Sequence, residues 1–429
     1  MKVTFFTLGC KVNQHETGAM QQLFFEHGYT ICPDTEDADV YVVNSCTVTA
    51  AGDKKSLQWL RRAKRRNPAS VTVLTGCYPQ AYPDEAALAG ADIVLGNACR
   101  KDIFACIDAF LATGRPQIHI VPHLPDERFE ELAMEHFPAH TRAFMKIEDG
   151  CNRACAYCVI PRARGRVRSR SPESIVAETK ALVSAGYREI VYSGINLSCY
   201  GIDNGSSLAQ AMEQAAAVPG LARLRLGSLE PDLLSDDTLI RLSRIEKLCP
   251  QFHLSLQSGC NRTLARMNRK YTAEAYSMVL ARIQKLFDRP AFTTDVIVGF
   301  PGETDEDFQE SLSYVEHCKF LKVHVFSYSP RPGTAGAEMP GQIPEPEKSR
   351  RNRLMSQCAE ESRLALMQEA CGQEEEVLLE KPLPDGRFTG YTRRFLPVLL
   401  EAPGHHAGDI VPVRLDAAEN GRCRAILKK

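Results

Sequence analysis

The sequence predicts an α/β protein of three parts: a parallel-sheet domain, an open (β/α) barrel and a small all-β barrel. Three observations carry this. Strand-like and helix-like runs alternate at the start, the alternation resumes after an irregular stretch, and the last stretch has only short apolar runs broken by Gly and Pro. In the first part Val3–Leu8, Val40–Asn44, Val71–Thr75 and Ile93–Leu95 are rich in β-branched residues, with Glu16–His27 and Lys54–Arg66 between them as amphipathic helices. Such alternation builds a parallel sheet covered by helices, a Rossmann-like or flavodoxin-like domain over residues 1–117. Residues 118–140 hold Pro and acidic side chains with little periodicity and read as a linker. A second series spans residues 141–368, with candidate strands Phe144–Ile147, Glu189–Ser193, Arg223–Gly227, His253–Leu256, Phe292–Val298 and His324–Tyr328, and helices such as Pro172–Ala185 and Ala273–Phe287. It predicts a partial (β/α)6 barrel of the TIM type, with its chemistry at the carboxyl ends of the strands. Pro330–Pro346 and a charged helical run, Glu345–Gln368, lead to residues 369–429, where Glu376–Glu380, Phe395–Leu400 and Ile410–Leu415 predict an OB-like barrel.

Composition narrows the function. Lys+Arg is 52 and Asp+Glu is 53, so a nucleic-acid site must be a local patch. No apolar run of about 18 residues occurs, so no membrane partner is expected. Met1–Gly9 lacks the length and cleavage site of a signal peptide. The expected location is cytoplasmic, where the 16 cysteines are metal ligands or buried thiols rather than disulfides. No stretch suggests a dedicated self-association surface, and a monomer is expected.

The cysteines carry the chemistry. Each of the first three predicted strands runs into one, Cys10, Cys46 and Cys77. Ligands of open parallel sheets sit beyond the strands' carboxyl ends, so three thiols would converge there. The stronger signal is Cys151-Asn-Arg-Ala-Cys155-Ala-Tyr-Cys158, after the first barrel strand. This C-x3-C-x2-C spacing offers three thiolates to a [4Fe–4S] cluster that needs four ligands, leaving one iron open. An open iron can chelate the amino and carboxylate groups of S-adenosylmethionine (SAM), and one-electron reduction then gives a 5′-deoxyadenosyl radical. Zinc is the competing reading, but structural zinc prefers four protein ligands, commonly as two C-x2-C pairs.

These residues, with Tyr157 before the last Cys, resemble the radical-SAM superfamily. Thr7-Leu-Gly-Cys10-Lys-Val-Asn-Gln14, Val43-Asn-Ser-Cys46-Thr-Val, Thr75-Gly-Cys77, Cys158-Val-Ile-Pro-Arg-Ala-Arg-Gly165, Met267-Asn-Arg-Lys-Tyr271 and Asp295-Val-Ile-Val-Gly-Phe-Pro-Gly-Glu303 resemble, more narrowly, its methylthiotransferase family. The resemblance covers the whole chain and implies a methylthiotransferase domain, a radical-SAM domain and a TRAM domain. It also implies a second [4Fe–4S] cluster on Cys10, Cys46 and Cys77, SAM as cofactor, and methylthiolation of carbon 2 of a modified adenine beside a tRNA anticodon. That C–H is neither acidic nor displaceable, so a radical is needed, and a second SAM would methylate the sulfur. The Gly9–Asn13 form resembles the subgroup acting on N6-threonylcarbamoyladenosine. The same chemistry on isopentenyladenosine tRNA or on a ribosomal-protein aspartate, and a non-catalytic Fe–S RNA-binding protein, are the alternatives. A flavodoxin- or ferredoxin-type reductant and a sulfur donor are implied partners.

Strand ends of the barrel offer polar groups for SAM: Ser193, Gly194 and Asn196, then Glu230, Ser255, Gln257 and Asp295, with Phe326 and Tyr328 flanking the adenine. For RNA, Arg162, Arg164, Arg166, Arg168 and Arg170 alternate after the cysteine loop, which predicts a basic face on an extended segment able to grip an anticodon stem-loop. Arg61–Arg66 is a second basic cluster, and Arg393 and Arg394 beside Tyr391 and Phe395 suit stacking plus phosphate contact.

Overall fold

The computed structural model describes residues 1–132 and 141–428; the end of the expected linker, 133–140, lies outside the described residues. The first sheet is entirely parallel. In chain numbering its order is 2-1-3-4-5-6, with strands Lys2–Thr7, Thr30–Ile31, Val40–Ser45, Val71–Gly76, Ile93–Leu95 and Gln117–His119. This is the flavodoxin-like order, whose switch point lies between the first and third strands. The apolar runs at Val40–Ser45 and Val71–Gly76 are buried on both faces, as central parallel strands must be. The sixth strand crosses the boundary expected at residue 117, because Gln117–His119 pairs with Ile93–Leu95.

Six parallel steps form the second sheet. Ala143–Lys146, Glu189–Ser193 and Arg223–Leu226 make one group, and Ser228–Leu229, Gln251–Leu254, Ala291–Val298 and Lys322–Ser327 the other. Gly227 divides the third step; its N–H donates to the Tyr192 carbonyl at 2.8 Å, which turns the strand. The arc is open. The helix Lys11–Glu26 of the first domain covers its first strand, where His15 Nδ1 lies 2.9 Å from the Phe144 carbonyl.

The helix Glu345–Glu369 links this arc to a closed five-stranded barrel of Glu374–Pro382, Arg387–Thr392, Pro397–Glu401, Ile410–Glu419 and Arg422–Leu427. Met367 and Ala370 from the end of the linking segment plug its core. Among the described residues no helix is long and apolar enough to cross a membrane.

Candidate active site

The loop Cys151–Cys158 leaves the first barrel strand through Gly150, whose φ of +83° and closeness to the Arg166 carbonyl exclude a side chain. The Met267–Tyr271 segment holds the loop's far side. Ala156 N–H donates to the Met267 carbonyl at 2.9 Å, and Asn268 Nδ2 to the Ala154 carbonyl at 2.7 Å. Arg269 reaches furthest in. Its Nη1 donates to Cys155 Sγ at 3.2 Å and to Tyr157 Oη at 3.3 Å, while Nη2 pairs with Glu230. The guanidinium therefore sets a positive charge beside one sulfur of the loop. Burial pushes the Cys158 thiol up to about 12, and Cys155 and Cys151 add to the rise, so the three sulfurs are neighbours. Three adjoining thiols with a cation at one of them fit an iron–sulfur cluster.

Beside Cys151 lie two buried acceptors with no partner, Glu148 Oε1 and Asn196 Oδ1. Glu148 Oε2 accepts from the Asn196 N–H at 2.7 Å, and a Cβ at Gly194 would stand 2.5 Å from that oxygen, so only glycine fits. Asn196 Nδ2 points to Cys151 Sγ at 3.9 Å. Orphaned acceptors next to a cluster ligand suit the ammonium of SAM. Ser193 Oγ instead donates to the Met145 carbonyl. Ser255 faces Ser228 at 3.3 Å, and Gln257 takes a φ of +68° with its N–H on the Asp295 carbonyl at 2.8 Å. Glu230 is held by Arg269 and by Ser198 Oγ, which accepts its N–H at 2.8 Å.

Burial also pushes the Glu148 carboxyl up to about 8, and Asp149 adds to this against the opposing Asn196 and Ile195 N–H groups. The folded chain therefore holds a proton that the unfolded chain releases near the ordinary glutamate value of 4.5. That contribution to stability is full below the unfolded value and is lost as pH rises towards about 8. Without SAM, the melting temperature of Glu148→Gln should fall less than that of the parent between about pH 5 and about pH 8.5. Equal falls in thermal-shift scans would contradict this assignment.

Cys10, Cys46 and Cys77 follow three adjacent strands at the switch point. The strands pair through Thr7↔Asn44 and Ser45↔Gly76, so their ends are level. A Cβ on Gly9 would stand 3.0 Å from Cys46 Cβ, and one on Gly76 would collide with the Ser45 carbonyl. Burial lifts the Cys46 thiol to about 12, with Cys77 and Cys10 adding to it. Cys10 stands at the N-cap of the helix Lys11–Glu26. Its Sγ lies 3.2 Å from Asn13 Oδ1, and Asn13 Nδ2 donates to the Ser45 carbonyl at 3.0 Å.

One buried ion network ties the two cysteine trios together. Arg164 ends the short helix Ile160–Arg164 that follows Cys158, and this helix packs on Cys77–Ala81 through Val159, Ala163, Cys77 and Tyr78. Arg164 donates to Glu16 Oε1 at 2.8 Å, to Asp149 Oδ1 at 3.1 Å and to Asn13 Oδ1 at 3.3 Å. Arg100 and Lys146 reach the same Glu16 at 3.0 and 3.4 Å. Burial alone would raise the Glu16 carboxyl, but Arg100, Arg164 and Lys146 outweigh it and hold Glu16 well below its usual range.

The structure corrects three sequence expectations. The five arginines do not share an exposed face. Arg164, Arg168 and Arg170 are buried and pair with Glu16, Asp149, Glu127 and Glu178, leaving only Arg162 and Arg166 exposed. The cause is the helix Ile160–Arg164, which breaks the period of two, and the buried carboxylates that need cations. Arg393 and Arg394 also have protein partners: Arg393 donates to the Glu246 and Leu248 carbonyls, and Arg394 Nε to Glu375 at 2.7 Å. Tyr391 and Phe395 stack at 4.4 Å under Arg142, so this turn docks on the barrel floor. Tyr328 does not flank a ligand; the strand ends at Ser327 and Tyr328 packs on Ala156, Met267 and Phe300. Phe326 does remain 39% exposed. In the second basic cluster Lys64 and Arg66 pair with Asp92 and Asp37, while Arg61, Arg62 and Arg65 are exposed. Sequence reasoning gave no role to Glu148, Arg269 or the Glu16 network; the Met267–Tyr271 motif was the one available signal.

The geometry fits an iron–sulfur enzyme that binds SAM, and comparison with known proteins gives the class. The Radical SAM superfamily model matches residues 145–315, and that of Uncharacterized protein family UPF0004 matches residues 2–97. The Bacillus subtilis threonylcarbamoyladenosine tRNA methylthiotransferase MtaB is 41% identical over 423 residues, covering 96% of this chain and 93% of that one. A tRNA-2-methylthio-N(6)-dimethylallyladenosine synthase from Pelotomaculum thermopropionicum is 32% identical, covering 99% and 97%. In fold, the chain resembles the radical SAM methyltransferase TsrM from Kitasatospora setae with a TM-score of 0.56 at 14% identity, over 78% of this chain and 77% of that one. The chain belongs to the radical-SAM methylthiotransferase family. It is a radical-SAM methylthiotransferase, a class that uses SAM and a [4Fe–4S] cluster.

Proposed function

We propose that this enzyme methylthiolates carbon 2 of N6-threonylcarbamoyladenosine beside the anticodon of tRNA, giving 2-methylthio-N6-threonylcarbamoyladenosine. It would use two SAM molecules and two [4Fe–4S] clusters, one on Cys151, Cys155 and Cys158, the other on Cys10, Cys46 and Cys77. The observation that carries the reading is the second trio: three thiols follow strand ends level at a sheet's switch point, and the helix that Cys77 opens packs against the one that follows Cys158. The names of the more similar relatives support the substrate.

Bound to a reduced cluster, SAM supplies a radical able to take hydrogen from an unactivated ring carbon. The chain's own residues prepare for this. Arg269 bonds the Cys155 sulfur and fixes Glu230 at the next strand end. Glu148 and Asn196 offer acceptors to the SAM ammonium, and Gly194 leaves the backbone bare for close approach. Asn13 bonds Cys10, and Arg164 bonds Asn13 and Cys77, so one network links the cysteines that would carry the sulfur to the helix after Cys158.

Cys46→Ala tests the division of labour. It should leave reductive SAM cleavage intact while eliminating 2-methylthio product, measured as 5′-deoxyadenosine and by mass spectrometry of tRNA nucleosides. Full product from the variant would refute a sulfur role for the second trio. The same nucleoside analysis would expose the alternative substrate, as product on dimethylallyladenosine alone.

A further inference from the structure

The barrel interior is accessible to solvent. Alternate residues on its central strands are sealed, with Phe252, Leu254, Thr294 and Val296 all 0% exposed. Their lumen-facing neighbours are not: the His253 and Asp295 side chains are 17% and 30% exposed, and Phe326 is 39% exposed. A closed (β/α)8 barrel fills this space with packed side chains; here it is left open to a ligand.

Lys11 enters this space from the open side of the arc. It is the first residue of the helix after Cys10, and its charge reaches Arg142, Arg225, Glu189 and His324. Among the described residues no carboxylate pairs with its ammonium. The nearby acids are already engaged. Glu189 accepts from Arg225 at 3.0 Å, with Arg142 and Arg223 each 3.6 Å away, and Asp295 lies 3.3 Å from His253 Nε2. Opposite, the His253 and His324 rings stand 6.0 Å apart. The His253, Asp295 and His324 ligand atoms, all within 4.8 Å of one another, have the spacing of a cation site. Lys11 and Lys322 beside His324 oppose a further positive charge there and favour an anion.

We propose that Lys11 and His324 form a carboxylate-binding site in the lumen, which takes the free acid on the N6 substituent of the substrate; this rests on the substrate reading above. A threonylcarbamoyl arm carries a carboxylate and a hydroxyl. The carboxylate accepts hydrogen bonds from Lys11 Nζ and an imidazole N–H, and the hydroxyl donates one to Asp295. A dimethylallyl arm offers neither group and leaves Lys11 and the imidazole N–H without an anionic partner, which disfavours it.

The test compares anticodon stem-loops bearing N6-threonylcarbamoyladenosine with the same RNA carrying the carboxyl as its methyl ester. Affinity for the reconstituted enzyme is read by fluorescence anisotropy. The parent should prefer the free acid about tenfold or more. Lys11→Met should lose that preference at unchanged iron content, and Lys11→Arg should recover part of it. A parent that acts on the acid yet binds acid and ester alike, or a Lys11→Met variant that keeps the full preference, overturns the lumen site alone. A parent that methylthiolates only dimethylallyl stem-loops overturns the substrate reading and the site with it.

Discussion

Cys155→Ala should reduce 5′-deoxyadenosine formation to the level of a protein-free control. A cluster that already spares one iron for SAM keeps only two protein ligands in this variant, and no replacement is at hand. Cys151 is the weaker choice for this experiment, because its charge reaches a further thiol, Cys199. Cys155 instead faces Arg269, which also bonds Tyr157 and Glu230, so its loss removes one partner of that guanidinium and leaves the other two in place. The readout is chromatography of an anaerobic reaction with dithionite and SAM. Cleavage above a tenth of the parent rate would mean that Cys155 is no ligand.

Arg164→Met should be the most destabilising single change outside the cysteines. Arg164 is buried and supplies charge to Glu16 and Asp149, which are themselves buried. Removing one member of such a network leaves uncompensated carboxylates and costs about 3–5 kcal/mol. For a domain of this size that is on the order of 10 °C in melting temperature. The effect reaches the second trio, because Arg164 also bonds Asn13 and Cys77. Calorimetry of the metal-free chain checks the stability, and a shift under about 2 °C would show that Lys146 and Arg100 suffice without it.

Much of this molecule is legible in its sequence. The six barrel strands match their apolar, β-branched runs within a residue or two, because each buries at least the face turned towards its covering helices. The opening helix begins at Lys11 rather than Glu16, since its first turn is a mixture of Lys, Val and amides chosen to serve Cys10 and not to make a stripe. Arg387–Thr392 and Arg422–Leu427 were not anticipated, because strands of a small barrel alternate polar and apolar residues and carry Gly390 where a Cβ would strike the Leu378 carbonyl. The cysteines were readable because metal sites fix residue type and spacing together. The arginines were not: whether a guanidinium faces solvent or a buried glutamate depends on residues far away in sequence, such as Glu16 for Arg164 and Glu246 for Arg393.

Two cysteine trios, each able to hold a cluster, are the core of this account, and an iron and sulfide count on the anaerobically reconstituted chain tests them most directly. About eight irons and eight sulfides per chain are predicted, falling to about four of each when Cys10, Cys46 and Cys77 are all alanine. About four irons in the unmodified chain, unchanged by that triple substitution, would contradict it.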